Sequence, residues 1–463
     1  MARIAPRECA TIEPRPPTRS QAALDALHRL LRPLVAVRRE ELAVLLLGTV
    51  YLFCAFASWY ILRPIRDEMG VAGGVDNLKW LFAGTLLATL AIQPVWGAAV
   101  ARWPRRRVIA VAYRFFALAW VGFFVAFGTA GPAAQVWIGR TFWVATSLFS
   151  LFVVSVFWSL LTDVLRDEAG KRLFGFLAAG GTLGAVAGGV LTAGLVERLG
   201  SAPLLLVSAV LLEAAVRLAG AVTSRAGSDL PGQARIDRQP VGGGWASGIT
   251  HVLRSPYLLG IALFMLLYTL GSTFLYFLQA RIVEEAFSDR AARTVFFAQV
   301  DVIVNAVTLV LQTGVTGRLL ARLGVTGTLT LLPALSVVGF LTLGMAPTLA
   351  VLVAFQVARR ATNFAIARPA REVLYIPLTR EDKYKAKNFL DTAVYRLGDQ
   401  AGAWADAGLA ALGFGIAGLA VAAAPLAAAW LALALWLGRR HARLAEVAEP
   451  TPAAETAPPV VPT

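Results

Sequence analysis

The chain has 463 residues, 57% of them hydrophobic and 15% charged, with a mean hydropathy of +0.66. A water-soluble domain of this length has no interior large enough for that much apolar surface, so soluble enzymes and signalling proteins are excluded. The net charge of +15, from 43 Lys and Arg against 28 Asp and Glu, reads as loop charge that orients a membrane protein. A nucleic-acid partner would need a separate basic domain, and the sequence has none.

Residues 1–41 form a polar tail without the compact apolar core and small-residue cleavage site of a signal peptide. Within it, Ala22 to Arg39 predicts a short amphipathic helix, with Arg29, Arg32, Arg38 and Arg39 at the cytoplasmic leaflet. From Leu42 onward, apolar runs of roughly 20 residues recur, each about long enough to cross a bilayer. They fall at roughly 42–62, 77–100, 108–129, 139–162, 173–196 and 202–222, then at roughly 256–279, 295–316, 325–346, 348–367, 389–411 and 415–437. The polar stretch Arg225 to Gly248 divides a first bundle, roughly 42–222, from a second, roughly 256–437, leaving roughly 223–255 as a cytoplasmic linker. From roughly 438 onward a cytoplasmic tail rich in Pro, Ala and Glu is expected to be disordered. The expected fold is all-α: a polytopic helical membrane protein of about twelve transmembrane helices in two six-helix pseudo-repeats.

The loops set an orientation. Arg102, Arg105, Arg106 and Arg107 follow the second run, Arg166, Lys171 and Arg172 the fourth, and Arg225, Arg235 and Arg238 the sixth. Arg318 and Arg322 follow the eighth, Lys383, Lys385 and Lys387 the tenth, and Arg439 and Arg440 the last. The positive-inside rule then places both termini in the cytoplasm of a bacterial inner-membrane, multi-pass protein. The segments after the first and seventh runs break the rule, carrying Arg63, Arg66, Arg281 and Arg290 mixed with Asp67, Glu68, Glu284, Glu285 and Asp289. The halves also repeat one pattern: Gly97 precedes Arg102 by the same interval as Gly317 precedes Arg322, at equivalent places. This resembles the GxLxDRxG loop of the major facilitator superfamily, with Ala101 and Ala321 where that motif has Asp. The glycine is expected to let two helices approach, and the arginine to cap helix ends.

Enzymatic machinery is missing from the sequence. The cysteines, Cys9 and Cys54, are not placed to pair, and His28, His251 and His441 are scattered. No HExxH, CxxC or Walker A pattern occurs, so transport driven by gradients or exchange is expected, with no cofactor and no metal.

Charges inside apolar runs carry the functional signal, because each costs a few kcal/mol or more unless it faces a partner or a wet cavity. Arg63 and Arg66 end the first run, Arg114 lies in the third and Arg140 begins the fourth. Glu213 and Arg217 are four apart in the sixth and are expected to pair on one helix face. Asp301 lies in the eighth run, Arg359 and Arg360 in the tenth ahead of Arg368 and Arg371, and Asp391, Arg396, Asp399 and Asp406 in the eleventh. The functional reading is a cationic cavity for an anion, since guanidinium binds phosphate or carboxylate bidentately. The plainer reading is interfacial anchors and internal ion pairs. Arg63, Arg66, Arg114, Arg140, Arg371 and Arg396 are the substrate-binding candidates, and Asp301, Asp391 and Asp399 the candidates for proton or ion coupling. Pro64 and Pro369, beside Arg63, Arg66 and Arg371, are expected to break their helices and free backbone groups. The fifth run, with Gly175, Gly180, Gly181, Gly184, Gly188 and Gly189, reads chiefly as tight helix packing.

Three stretches carry a more specific resemblance. They are Ile61-Leu62-Arg63-Pro64-Ile65-Arg66-Asp67, Phe157-Trp158 leading to Lys171-Arg172-Leu173-Phe174-Gly175, and Pro369-Ala370-Arg371-Glu372 with Tyr375, Pro377, Lys385, Lys387, Tyr395, Arg396 and Gly398. Together these resemble the ATP/ADP translocase family of plastids and intracellular bacteria. The resemblance implies a major-facilitator-like fold and nucleotide exchange. Two lysines of that family fall on Arg66 and Arg371, and its intramembrane glutamates are unmatched, with Thr146 and Tyr276 at the corresponding places. The expected function is therefore a secondary antiporter of a small anionic solute such as ATP or ADP, working as a monomer in the bilayer by alternating access. The alternatives are a proton-coupled transporter or exporter of another solute, and a scaffold or receptor that transports nothing.

Overall fold

A computed structural model describes residues 37–164, 167–229, 252–376, 378, 387 and 389–448. Every regular element among them is helical. The first half holds α1 (Leu42–Ala72), α2 (Leu78–Arg102), α3 (Arg105–Thr129), α4 (Pro132–Val164), α5 (Asp167–Leu199) and α6 (Ala202–Asp229). The second holds α7 (Pro256–Ala286), α8 (Arg290–Gly314), α9 (Thr316–Met345), α10 (Leu349–Thr362), α11 (Tyr395–Ala411) and α12 (Ile416–Ala448). Among the described residues, 11 helices are long and apolar enough to cross a membrane. The exception is α11, whose 17 residues include Arg396, Asp399 and Asp406. It is lengthened by a π-helical turn at Leu390–Val394 that precedes it directly. The helices run past the expected limits: α6 continues to Asp229, into the expected linker, and α12 to Ala448, into the tail expected to be disordered from Gly438 onward. The expected amphipathic helix before Val37, linker residues 230–251, Lys383, Lys385 and the tail from residue 449 lie outside the described residues.

Two sequence expectations fail in α1. The apolar run stops near residue 62, yet the helix continues for its full 31 residues, through Pro64, to Ala72. Pro64 removes one hydrogen bond, but within a bundle a helix is held by its neighbours rather than by its own ladder alone. Arg63 and Arg66 are therefore intrahelical and not loop residues, and Arg281 is likewise inside α7. Hydropathy ends a span at the first charges; these charges are folded inward onto partners, so the helix has no reason to end there.

The fifth run packs as its small residues predict. A Cβ on Gly180 would meet Thr49 Cγ2 at 2.6 Å and one on Gly188 the Ala57 carbonyl oxygen at 2.5 Å, while Gly184 lies still closer to the backbone of Phe53. Backbone-to-backbone approach of this kind substitutes for the hydrophobic drive that lipid does not supply. Gly189 makes room for a side chain of the other half: a Cβ there would meet Val302 Cγ2 of α8 at 2.7 Å. The paired loop glycine does not behave as expected: a Cβ on Gly97 would meet nothing within 4 Å, so no helix approaches it here. Its counterpart segment, Gly317 to Arg322, is helical within α9 and joins the rest of the span across a kink at Gly324, whose φ is +62°. That left-handed conformation is open to glycine at little cost.

Three apolar cores show how the halves meet. One belongs almost wholly to the first half, around Tyr51, Tyr113, Trp120, Phe142 and Phe157. Another belongs to the second half, at the end that carries Leu374, Leu390 and Trp430. The third joins both: Val71, Val75, Leu78, Leu81 and Trp143 pack with Phe274, Phe277, Phe296, Phe297 and Phe340. The shared core lies at the C-terminal end of α1 and the N-terminal end of α2. At the opposite end, which carries the arginine-rich connections, each half has its own core and a gap lies between them.

Candidate functional site

The gap is a cavity of about 540 Å³, within the size range of small-molecule sites. Seven arginines and two aspartates line it: Arg63 and Arg66 from the first half, Arg359, Arg360, Arg368, Arg371 and Arg396 from the second, with Asp391 and Asp399. The remaining wall is mostly aromatic or uncharged polar, with Leu151 and Met265 besides. Phe82, Trp143, Tyr268, Tyr276, Phe364 and Tyr395 alternate with serine, threonine, glutamine and asparagine side chains.

Local structure explains why one wall carries so many cations. After Arg359 and Arg360, α10 loses its regular register in a π-helical turn, Asn363–Ala367, and resumes as a short helix, Arg368–Val373, with Pro369 in its first turn. Pro369 therefore follows a change of helical register, and neither it nor Pro64 ends its helix, contrary to the expectation from sequence. A π turn shifts the following residues around the axis, so Arg359, Arg360, Arg368 and Arg371 all reach the same cavity. The second π turn, Leu390–Val394, does the equivalent for Asp391, Arg396 and Asp399.

The arginines differ in their pairing. Arg66 bonds Asp67 Oδ1 through Nε at 3.0 Å and Nη2 at 2.6 Å, and lies over the Trp143 ring at 5.2 Å. Tyr276 donates to the same Asp67 oxygen at 3.1 Å, bringing the two halves together. Arg63 bonds Asp301 at 2.8 Å, and Arg360 reaches the same Oδ1 at 2.7 Å. One buried carboxylate on α8 thus serves two guanidinium groups, one from each half. Arg396 pairs with Asp399 at 3.4 Å, and Thr273 donates to Asp399 at 3.4 Å.

Three cations form no ion pair among the described residues, although Asp391 faces Arg368 and Arg371 at longer range. Arg359 is 4% exposed; it donates to Ser336 at 3.1 Å, to Ser272 at 3.0 Å and to the Tyr268 carbonyl at 3.2 Å, and sits over the Tyr268 ring. Arg371 is 9% exposed and has no ion-pair partner, because its neighbour Glu372 is held by Lys387. Arg368 stacks over Phe364 and is exposed at the cavity mouth. A buried cation without an ion pair is expensive; Arg359 and Arg371 are buried, and all three face the cavity.

Two sequence candidates lie elsewhere. Arg114 does not reach the cavity; it is on the outer face of the first half, bonded to Glu213 at 2.9 and 3.0 Å, and Glu213 also accepts from Arg217 at 3.1 Å. The expected Glu213–Arg217 pair is present, and it captures Arg114 as a third member. Arg140 lies near the start of α4, stacked over Trp137 at 4.7 Å and away from the cavity wall. Neither displacement is legible from sequence, because an arginine on either face of a membrane helix interrupts the apolar run in the same way. Conversely, sequence reasoning noted Arg359, Arg360 and Arg368 as charges without selecting them. The overlooked signal is the set of amides and hydroxyls inside the same apolar runs, such as Gln279, which accepts from Gln356 at 2.7 Å, and Asn363.

The cavity is sealed at the end away from the arginine-rich connections. There Glu68 accepts two bonds from Arg290, at 2.8 and 2.9 Å, and Trp80 meets Trp404 edge to face at 5.1 Å. Phe82 packs against Tyr276 and Phe277. All of these contacts join one half to the other.

The solved structures that this fold resembles are transporters. A point-mutant form of the nucleoside transporter NupG superposes with a TM-score of 0.58 at 13% identity, covering 87% of this chain and 99% of that one. A bacterial homologue of the iron transporter ferroportin in its inward-facing state gives 0.57 at 15% identity, covering 88% and 98%. An auto-inhibited POT family peptide transporter gives 0.60 at 13%, covering 86% and 96%. At such identities the likeness concerns the fold alone. No curated protein matches the sequence significantly. Residues 44–367 match the profile of the Major Facilitator Superfamily, and with two six-helix halves enclosing one central cavity, the chain belongs to that superfamily of membrane transporters.

Proposed function

We propose that this transporter moves a small organic anion, phosphorylated and of the nucleotide class, by alternating access of the central cavity. The observation that carries the reading is the unequal wall, seven arginines against two aspartates, with Arg359 and Arg371 buried there and in no ion pair among the described residues. A phosphate accepts the planar fork of an arginine at two oxygens, and the aromatic wall offers faces on which a base can stack. The stretches that resemble the ATP/ADP translocase family support this reading, since Arg63, Arg66, Arg371 and Arg396 all come to the cavity. Both termini are assigned to the cytoplasm, which makes the present form inward-facing. Purified protein in proteoliposomes preloaded with ATP, ADP, AMP, a sugar phosphate or inorganic phosphate tests the reading. Exchange of at least one labelled member is expected, and absence of both exchange and binding across the panel would refute it.

A second reading, proton coupling, is favoured by Asp301. This carboxylate is 2% exposed, tied to Arg63 and Arg360 through Oδ1, and its Oδ2 has no hydrogen-bond partner. Protonation would release both arginines together. Uptake that depends on a pH gradient in wild type and loses that dependence in Asp301→Asn supports coupling; one-for-one exchange indifferent to the gradient refutes it.

A further inference from the structure

The Arg114–Glu213–Arg217 cluster is outside the transport pathway, and its position in the membrane demands an explanation. Arg114 lies nine residues into α3, about 13 Å along the axis at 1.5 Å per residue. With Arg105, Arg106 and Arg107 at the headgroup level, Arg114 lies inside the hydrocarbon layer on the side of the arginine-rich end, short of its middle. Yet the side chains face outward: Arg114 is 55% exposed and Arg217 79%. One carboxylate serves both, and its bonds leave Nη1 of Arg114 and both terminal nitrogens of Arg217 without a partner among the described residues.

Toward the arginine-rich end, α3 and α6 part to leave a lateral groove of about 340 Å³, lined by Arg106, Arg114, Arg217, Gly220 and Ser224 among others. Small residues open it: a Cβ on Gly220 would sit 3.4 Å from the Arg106 guanidinium. Arg106 has no ion pair among the described residues. The groove therefore holds three cations against one anion. Toward the membrane centre the same faces become apolar and exposed, with Phe115 at 61%, Leu118 at 72% and Val210 at 69%. A cationic slot at one level that continues into open apolar surface is complementary to a molecule with an anionic head and a hydrocarbon tail.

We infer that the α3–α6 groove binds an anionic phospholipid, its phosphate held between Arg106, Arg114 and Arg217 and its acyl chain laid along Phe115, Leu118 and Val210. Arginines at this depth need a counter-charge that comes from the headgroup layer, and a lipid phosphate is the anion present there at high local concentration. Gly220 matters because a larger side chain would push Arg106 out of the slot.

The test uses the full-length protein, delipidated in detergent and titrated with phosphatidylglycerol or phosphatidylcholine, followed by native mass spectrometry and thermal unfolding. Wild type is expected to retain phosphatidylglycerol at least five-fold better than phosphatidylcholine and to gain thermal stability from it. Arg106→Gln/Arg114→Gln/Arg217→Gln should abolish that preference. Gly220→Leu, which leaves every charge in place, should reduce it several-fold and carries the test if the triple variant does not fold. Equal retention of the two lipids by wild type overturns the inference, as does undiminished preference in Gly220→Leu. Stabilisation by inorganic phosphate equal to that by phosphatidylglycerol overturns the lipid as occupant. A dimer that the triple variant dissociates overturns it in favour of a second copy of the chain.

Discussion

Arg66 and Arg371 both line the cavity, but they should fail in different ways when truncated. Arg371 has no carboxylate within ion-pair distance among the described residues, with Asp391 facing it only at longer range, so Arg371→Ala removes a contact to the proposed anion without breaking an ion pair. A hydrogen bond to a charged group contributes about 1.5–3 kcal/mol, which is about 10- to 150-fold in Kd at 1.4 kcal/mol per decade. Arg371→Lys keeps the charge and loses the fork, and should fall between the two. Arg66 has a partner that depends on it. Its loss leaves Asp67, 6% exposed, with only the Tyr276 hydroxyl and an Arg63 nitrogen at 4.0 Å. Breaking a buried pair on one side costs about 3–5 kcal/mol, so Arg66→Ala should lower the unfolding temperature, and Arg66→Ala/Asp67→Asn should recover most of it. Thermal unfolding of purified protein and equilibrium binding of labelled ATP, ADP and AMP separate the two effects. If Arg371→Ala binds each probe that wild type binds within two-fold, the cavity cations are not substrate ligands and the proposed anion site is wrong. If Arg66→Ala is as stable as wild type, the Arg66–Asp67 pair is not a structural element.

Three further outcomes follow from the packing and the ties between halves. Gly184→Val should abolish folded expression, since a Cβ there collides with the Phe53 backbone, while Gly175→Ala, with nothing within 4 Å, should express normally; fluorescence size-exclusion chromatography reads both. Glu68→Gln removes the carboxylate held by the half-exposed Arg290 and should shift the population toward the oppositely open state by up to about five-fold, the effect of about 1 kcal/mol. Spin-label distances across the sealed end would show it, and an unchanged distribution would count against the pair as a latch. Arg359→Met should raise the unfolding temperature and weaken anion binding together, because it removes a buried cation that lacks a counter-ion; a fall in both would mean that the hydroxyls of Ser272 and Ser336 already compensate it.

The spans and their division into halves were legible because hydropathy is a property of each segment alone. Their limits were not legible where a helix turns its charges inward. The first apolar run ends at residue 62 by composition, and the helix ends at Ala72 by packing. The site was legible as an excess of arginine, but which arginines face the cavity depends on helix rotation. Arg114 interrupts α3 much as Arg63 interrupts α1, yet one meets Glu213 on the outside and the other meets Asp301 between the halves. Partners 99 and 238 positions away in sequence cannot be read from local pattern. The register shifts made by the two π turns are equally hidden, since no residue type requires a π turn, and they bring Arg368, Arg371, Arg396 and Asp399 to one wall.

Asp301 connects the site to the movement. It belongs to α8, and it holds Arg63 from the first half together with Arg360 from its own. In the sealed-end form described here, the halves meet through the shared apolar core, the Glu68–Arg290 pair and this carboxylate. In the proposed cycle, an anion entering from the open end meets Arg359, Arg368 and Arg371 on the second half, whereas on the first half Arg63 and Arg66 are already paired. Binding to both halves therefore requires the anion to compete with Asp301 for Arg63, or with Asp67 for Arg66. A ligand shifts an equilibrium only through the contacts it makes in one state and lacks in the other. Displacing Asp301 weakens a tie of the sealed form while the anion supplies a new bridge between the halves, which is the differential contact that alternating access needs. Asp301→Asn should accordingly relax the sealed form even without substrate, and leave bound anion with less influence on the distances between halves than in wild type. Spin-label measurements with and without ATP would decide it: an equal ATP-induced shift in wild type and Asp301→Asn would remove Asp301 from the coupling.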